Sequence, residues 1–299
     1  MTERLGLIAV LVALGVGWGS TQPLGKIAVS TGHGPFGLIF WQLFICTVVL
    51  GGLSLARGRG PVWRRDALTF AVVVAVIGTL IPNATFYISV GRLPSGIMSI
   101  LISTVPMLSF PIALALGMDR FSLLRFAGLG LGLAGVAIIA APGAGVYAAG
   151  LVGFIPLALI GPLFYAIEAN YVARFGTAGM DPIQAMFMAS GAGLVLCLPL
   201  ALIPGQWVDP TAGFGRPEAA LVVSSVIHGL CYAGYVWLAM RAGAVFAAQC
   251  GYLVTGAGVL WAMALLNERL SPMAIVALVV ILSGVALVQP RRKDAVPTV

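Results

Sequence analysis

The sequence predicts an all-α integral membrane protein: ten transmembrane helices arranged as two inverted five-helix repeats. Three observations carry the prediction. Of 299 residues, 60% are hydrophobic and only 8% charged, 16 Lys+Arg against 9 Asp+Glu, whereas a soluble domain has about a quarter charged residues. Mean hydropathy is +1.07, so a water-facing surface would expose hydrocarbon almost everywhere. Apolar stretches near the ~20-residue membrane-crossing length recur between short charged or Gly/Pro-rich breaks, and the second half of the chain echoes the first.

The spans fall at about 5–29, 35–55, 67–89, 95–117, 121–141, 150–174, 182–204, 218–240, 244–266 and 271–290. The first opens after Arg4 and runs on past Ala28 with no A-x-A cleavage site, so it reads as a span and not as a secretion signal. It carries Trp18, Ser20, Gln22, Pro23 and Lys26. The second ends at the basic segment containing Arg57, Arg59, Arg64 and Arg65, after which the third bears Thr79, Asn83 and Phe86. Span four contains Ser99, Ser103, Pro106 and Pro111; span five holds Gly128, Gly130 and Gly132, a small-residue run suited to close helix approach. That run favours packing within one monomer, with a dimer as the alternative.

Span six combines Pro162 with Phe164, Tyr165, Glu168 and Asn170; span eight has Ser225, His228, Tyr232 and Tyr235 on one helical face. Span nine brings Gln249 and Tyr252, and span ten leads to a basic tail at 291–299. Continuous apolar runs favour helices over a barrel, and an open backbone cannot survive in lipid.

Twelve of the sixteen basic residues collect on one side: Arg4, Arg57, Arg59, Arg64, Arg65, Arg120, Arg125, Arg174, Arg241, Arg291, Arg292 and Lys293. Lys26, Arg92, Arg216 and Arg269 lie on the other. The positive-inside rule then places both termini in the cytoplasm, which needs an even number of spans. The net charge of +7 is thus a set of juxtamembrane anchors, and no nucleic acid partner is expected. The four cysteines lie in apolar stretches without C-x-x-C spacing, so neither a disulfide framework nor a zinc site is indicated.

An offset of 149 residues aligns Arg92 with Arg241, Asp119-Arg120-Phe121-Ser122 with Glu268-Arg269-Leu270-Ser271, and Leu133-Ala134-Gly135-Val136 with Leu282-Ser283-Gly284-Val285. Residues 1–142 form one unit and 150–290 the other. Five spans per unit, an odd number, insert the second copy upside down, as in secondary transporters that open a central site to either side.

Those paired acidic-Arg-x-Ser turns, the Leu-Ala-Gly-Val ending, and Trp18-Gly19-Ser20 in the first helix resemble the paired EamA domains of the drug/metabolite transporter superfamily. General similarity is to the bacterial YddG-type exporters of aromatic and other amino acids. The resemblance implies amino acid export across a bacterial inner (plasma) membrane, with no cofactor. Two positions depart from it: Asp119 stands where Glu is common, and Pro106 is matched by Thr255 in the second half.

Polar side chains inside a bilayer point to function by default. The helix-8 face, moved back by 149, becomes Val76, Thr79, Asn83 and Phe86, which favours a cavity lined by helices 3 and 8 over interhelical bonding alone. Trp18 lies about 20 Å along helix 1, near mid-bilayer, and Tyr165 at similar depth in helix 6. With Phe164 they make an aromatic pocket if they face inward. Pro23, Pro162 and Pro106 are hinge candidates. Glu168 can attract a substrate amine, carry a coupling proton, or simply hydrogen-bond; His228 is either a bonded packing residue or a proton carrier; Lys26 either snorkels or serves the site.

The expected substrate-binding set is Trp18, Ser20, Gln22, Thr79, Asn83, Phe86, Phe164, Tyr165, Glu168, His228, Tyr232, Tyr235, Gln249 and Tyr252. With no Lys or Arg at depth, phosphorylated substrates are disfavoured and small zwitterions or weak cations with an apolar part are favoured. A passive channel is one rival. An intramembrane enzyme is the weaker one, because His33 and His228 are the two histidines and no H-E-x-x-H motif is present.

Overall fold

The computed structural model describes residues 2–141, 150–242 and 250–288. Its described residues are helical, without strands: α1 Thr2–Ala28, α2 Pro35–Ala56, α3 Arg65–Val90, α4 Ser95–Ala115, α5 Leu123–Ala140, α6 Phe154–Phe175, α7 Pro182–Ala201, α8 Arg216–Ala242, α9 Cys250–Leu266 and α10 Pro272–Val288. Among the described residues, the seven helices α1 to α7 are long and apolar enough to cross a membrane, while α9 and α10 are shorter apolar helices. Large apolar side chains face outward along them, including Val195 (72% exposed), Leu133 (61%) and Leu260 (67%). Lipid is the solvent that makes such a surface inexpensive.

Two helices are interrupted, each for a chemical reason. Pro82 has no N–H to give the Gly78 carbonyl, and α3 widens into a π turn over Ala75–Leu80 just before it. The sequence reading did not anticipate this turn. Helix α4 breaks between Ile102 and Val105, with Pro106 in the first turn of its second segment. There the Ser103 hydroxyl donates to the Ile100 carbonyl at 2.6 Å and the Thr104 hydroxyl to Leu101 at 2.7 Å, so both hydroxyls are satisfied locally by carbonyls of the preceding turn. At the matching point of α9, where Thr255 replaces Pro106, the helix is continuous. Pro23 and Pro162 both lie inside unbroken helices.

Helix α1 packs between α8 and α9, and α6 packs between α3 and α4; α2 lies on α7, α4 on α9 and α5 on α10, with α8 also on α2 and α3 on α7. Glycine sets the α5–α10 approach. A β-carbon on Gly284 would fall 2.6 Å from the Gly128 carbonyl oxygen, and one on Gly135 would fall 3.2 Å from that of Ala277. Gly132 faces Met107 of α4, whereas a β-carbon on Gly130 would meet nothing within 4 Å. The glycine run therefore serves packing inside this chain.

The charged residues sort to two ends. At one, Asp181 caps α7 and receives Arg57 at 3.0 Å and Arg59 at 3.1 Å, Gln184 donates to the Gly60 carbonyl at 2.6 Å, and Arg174 donates to Leu116 at 3.2 Å. Arg125 is not a solvated anchor: it is 5% exposed, paired with Asp119 and lies 5.6 Å from the Phe110 ring. At the other end, Lys26 reaches Glu268 at 3.5 Å and donates to the Leu93 carbonyl at 2.6 Å. The Glu268 carboxylate accepts from the backbone N–H of Ser95 (2.8 Å) and Gly96 (2.9 Å), an anion placed on the N-terminus of α4. Lys26 thus pairs across helices instead of merely snorkelling.

Candidate functional site

Four helices converge on the polar interior. Trp18 of α1 donates its indole N–H to Nδ1 of His228 in α8 at 3.1 Å. The same indole meets three rings of α8 edge-on, His228 at 5.8 Å, Tyr232 at 6.2 Å and Tyr235 at 5.9 Å between centroids. Edge-to-face contact is the arrangement ring quadrupoles prefer. The spacing of 3 and 4 along α8 is what turns these side chains to a common face. Ser225, one turn earlier, donates to the Leu221 carbonyl of its own helix at 2.7 Å and is 1% exposed.

On the facing pair, Tyr165 of α6 donates to Asn83 Oδ1 of α3 at 3.2 Å. Glu168, one turn further along α6, lies over Gly78 in the π turn: a β-carbon there would sit 2.5 Å from the carboxyl carbon. Glycine is what lets the carboxylate rest against the α3 backbone. Glu168 is partly exposed and, among the described residues, makes no hydrogen bond or ion pair. It lies within electrostatic reach of both the Tyr165 and Tyr232 hydroxyls, which links the two halves of the cluster.

A small cavity of about 20 Å³ adjoins the cluster, lined by Gln42, Thr79, Ser190, His228 and Tyr232 among others. That is room for about one water. Gln42 also accepts from the Tyr87 hydroxyl at 2.8 Å. The sequence reading missed Gln42, Tyr87 and Ser190; the signal for Gln42 was available, an amide in the middle of an otherwise apolar second span. A second, open basin of about 640 Å³ lies at the Lys26 end, walled by Trp207, Phe214, His33, Asp209 and Glu218. Hydrogen bonds from the Thr211 hydroxyl and backbone N–H hold the Asp209 carboxyl below its usual range, so its rim carries a fixed negative charge.

The remaining expected residues scatter. Ser20 donates back to Gly17 at 2.6 Å. Gln22 Oε1 is buried without a hydrogen-bond partner among the described residues. Phe86 lies over Gly25 of α1 and against Tyr87, with ring centroids 5.3 Å apart, and Tyr252 packs on the core around α4, α5 and α10. Phe164 is half-buried on α6. Gln249 and the tail at 291–299 lie outside the described residues. Asn170 donates to Ser109 Oγ at 2.7 Å, joining α6 to α4.

The model of the EamA-like transporter family matches twice, over residues 4–141 and 153–289. A curated relative, "Uncharacterized transporter YvbV" of Bacillus subtilis (strain 168), is 26% identical over 98% of this chain and 93% of its own. A solved crystal structure, 17% identical, superimposes with a TM-score of 0.64 over 94% of this chain and 96% of its own, a likeness of fold. Matched in both halves, a helical chain built for lipid and closed around a polar centre, this protein belongs to the EamA-like transporter family.

Proposed function

We propose that the chain is a secondary transporter of the YddG type that exports small amphipathic metabolites, above all amino acids including aromatic ones, by alternating access of two inverted repeats. In this reading ten helices cross a bacterial inner membrane with both termini in the cytoplasm, units 1–142 and 150–290 rock against each other, and the chain acts as a monomer. The observation that carries it is the joining of Trp18, His228, Tyr232 and Glu168 at the meeting of α1, α3, α6 and α8. Rings, an imidazole, hydroxyls and one carboxylate suit a zwitterion with an apolar side chain. The substrate set proposed is the one expected from sequence, with Gln42 and Ser190 added from the cavity wall.

Internal symmetry supports the repeat. Exchanging each helix for the one five places away maps α1–α8 onto α6–α3, α1–α9 onto α6–α4 and α2–α8 onto α7–α3, and returns α2–α7, α4–α9 and α5–α10 to themselves. The match reaches single atoms: Gly135 approaches the Ala277 carbonyl as its counterpart Gly284 approaches that of Gly128, itself the counterpart of Ala277. Asn83, which binds Tyr165, is the counterpart of Tyr232, which meets Trp18. Inversion is supported by the turn holding Asp119, which lies with Leu116 at the Asp181 end while Glu268 lies at the Lys26 end.

The cavity of about 20 Å³ beside the cluster is too small for an amino acid, so binding there requires the helices around it to move. This favours a carrier over a standing pore. Radiolabelled amino acids taken into proteoliposomes test it: saturation and counterflow are expected, and linear flux without counterflow would establish a channel instead. Pro106, at the break in α4, is the best placed of the three hinge candidates; Pro23 and Pro162 act within continuous helix.

A further inference from the structure

The Trp18–His228 bond fixes more than packing. An indole nitrogen is a donor only, so Nδ1 of His228 must present a lone pair to it at 3.1 Å. A protonated imidazole would set two N–H groups head to head, and the neutral ring can satisfy Trp18 only with its hydrogen on Nε2. The ring bridges two environments. Its Nδ1 edge meets α1, while its other edge is what remains to line the cavity shared by α2, α3, α7 and α8, a cavity Trp18 does not border. His228 is half-buried, and its Nε2 makes no hydrogen bond among the described residues. An N–H left without a protein partner beside a small cavity is a standing donor that a ligand or water can accept from.

We infer that Trp18 locks His228 as the Nε2–H tautomer, so that the imidazole is a neutral hydrogen-bond donor for the carboxylate of the transported molecule and not a carrier of protons. This rests on the transporter reading above and gives the substrate a direction: carboxylate toward His228 and Thr79, ammonium toward the unpaired Glu168. Tyr232, one turn from His228, lines the same cavity, and the Glu168 carboxylate rests over Gly78, the neighbour of the cavity-lining Thr79. A charge-assisted bond to a carboxylate supplies discrimination that a hydrophobic pocket cannot.

Two measurements test it. The protein has two histidines, so ¹⁵N-histidine-labelled protein, with His33→Asn to assign signals, reports the His228 tautomer. A single Nε2–H form is expected in the wild type and a mixture of tautomers in Trp18→Phe, which keeps an aromatic ring but has no N–H. An Nδ1–H or doubly protonated His228 in the wild type overturns the lock. In proteoliposomes, wild type should prefer phenylalanine over phenethylamine, its decarboxylated analogue, and His228→Ala should lower that preference ~10-fold or more. An unchanged preference in His228→Ala overturns the carboxylate assignment. If wild type carries neither compound, the amino-acid reading and that assignment fall together, while the spectrum alone still decides the tautomer.

Discussion

Replacing Gly284 with alanine should loosen the α5–α10 seam, and the structure fixes how severely. The new β-carbon would lie 2.6 Å from the Gly128 carbonyl oxygen, 2.8 Å from Met107 Cε and 3.1 Å from the Gly132 nitrogen, where ordinary contact begins at 3.4 Å. Two of these three atoms are backbone, so the helices themselves must part by several tenths of an ångström. Met107, 1% exposed, has little room to yield. Overpacking of this kind costs about 1–3 kcal/mol, and the seam cannot recover it from water because helix association in lipid depends on close van der Waals fit. For a chain of this size each kcal/mol moves the melting temperature by about 2–4 °C, so a fall of about 2–12 °C is expected. The assay is the apparent melting temperature of detergent-purified protein at one fixed scan rate. Gly130→Ala is the internal control: it meets open space, and alanine is the better helix former by about 0.5–1 kcal/mol in soluble helices, so it should melt no lower than wild type. Equal melting of the two variants, or the reverse order, would refute the intramolecular role of the glycines and reopen the dimer reading.

Other expectations follow from the same geometry. Glu168→Gln, which keeps the shape but not the charge beside Gly78, should abolish any dependence of transport on a pH gradient, measured by imposing gradients on proteoliposomes; unchanged coupling would discard proton antiport through this residue. Trp18→Ala removes a hydrogen bond and three ring contacts, and Tyr232→Ala removes a cavity wall; each should slow amino acid uptake ~10-fold or more with expression intact, and wild-type kinetics in both would dismiss the pocket. Single cysteines at positions 120 and 269 should react with a membrane-impermeant thiol reagent from opposite sides of sealed vesicles, and labelling from the same side would end the inverted-repeat proposal.

Much of the candidate cluster's geometry was readable in the sequence because polar side chains are scarce in these spans. The 3 and 4 spacing of Ser225, His228, Tyr232 and Tyr235 foretold a shared face, and the mid-span depth of Trp18 placed it within reach. That Phe86 and Tyr252 pack away from the Trp18–His228 cluster was not legible by the same reasoning, since an aromatic ring on the inner face of a helix can line a pocket or pack a core. Gln42 escaped because it stands alone, without a partner at helical spacing. The pairing of Lys26 with Glu268 joins residues far apart in the chain, and depth along one helix cannot show which other helix ends beside it.

The sequence by itself determined the solvent and the helices and pointed to a duplication, because hydropathy, span length and a matched offset are properties of composition and order alone. It did not determine how each helix is rotated against its neighbours. In lipid nearly every face of a span is apolar, so the amphipathic pattern that orients a helix in water is weak here. Only tertiary packing decided that the Trp18 indole turns to Nδ1 of His228, that Glu168 settles over a glycine in a π turn forced by Pro82, and that the glycines of α5 face α10. Those are contacts between helices, set by steric fit and by the requirement that each buried polar group find a partner.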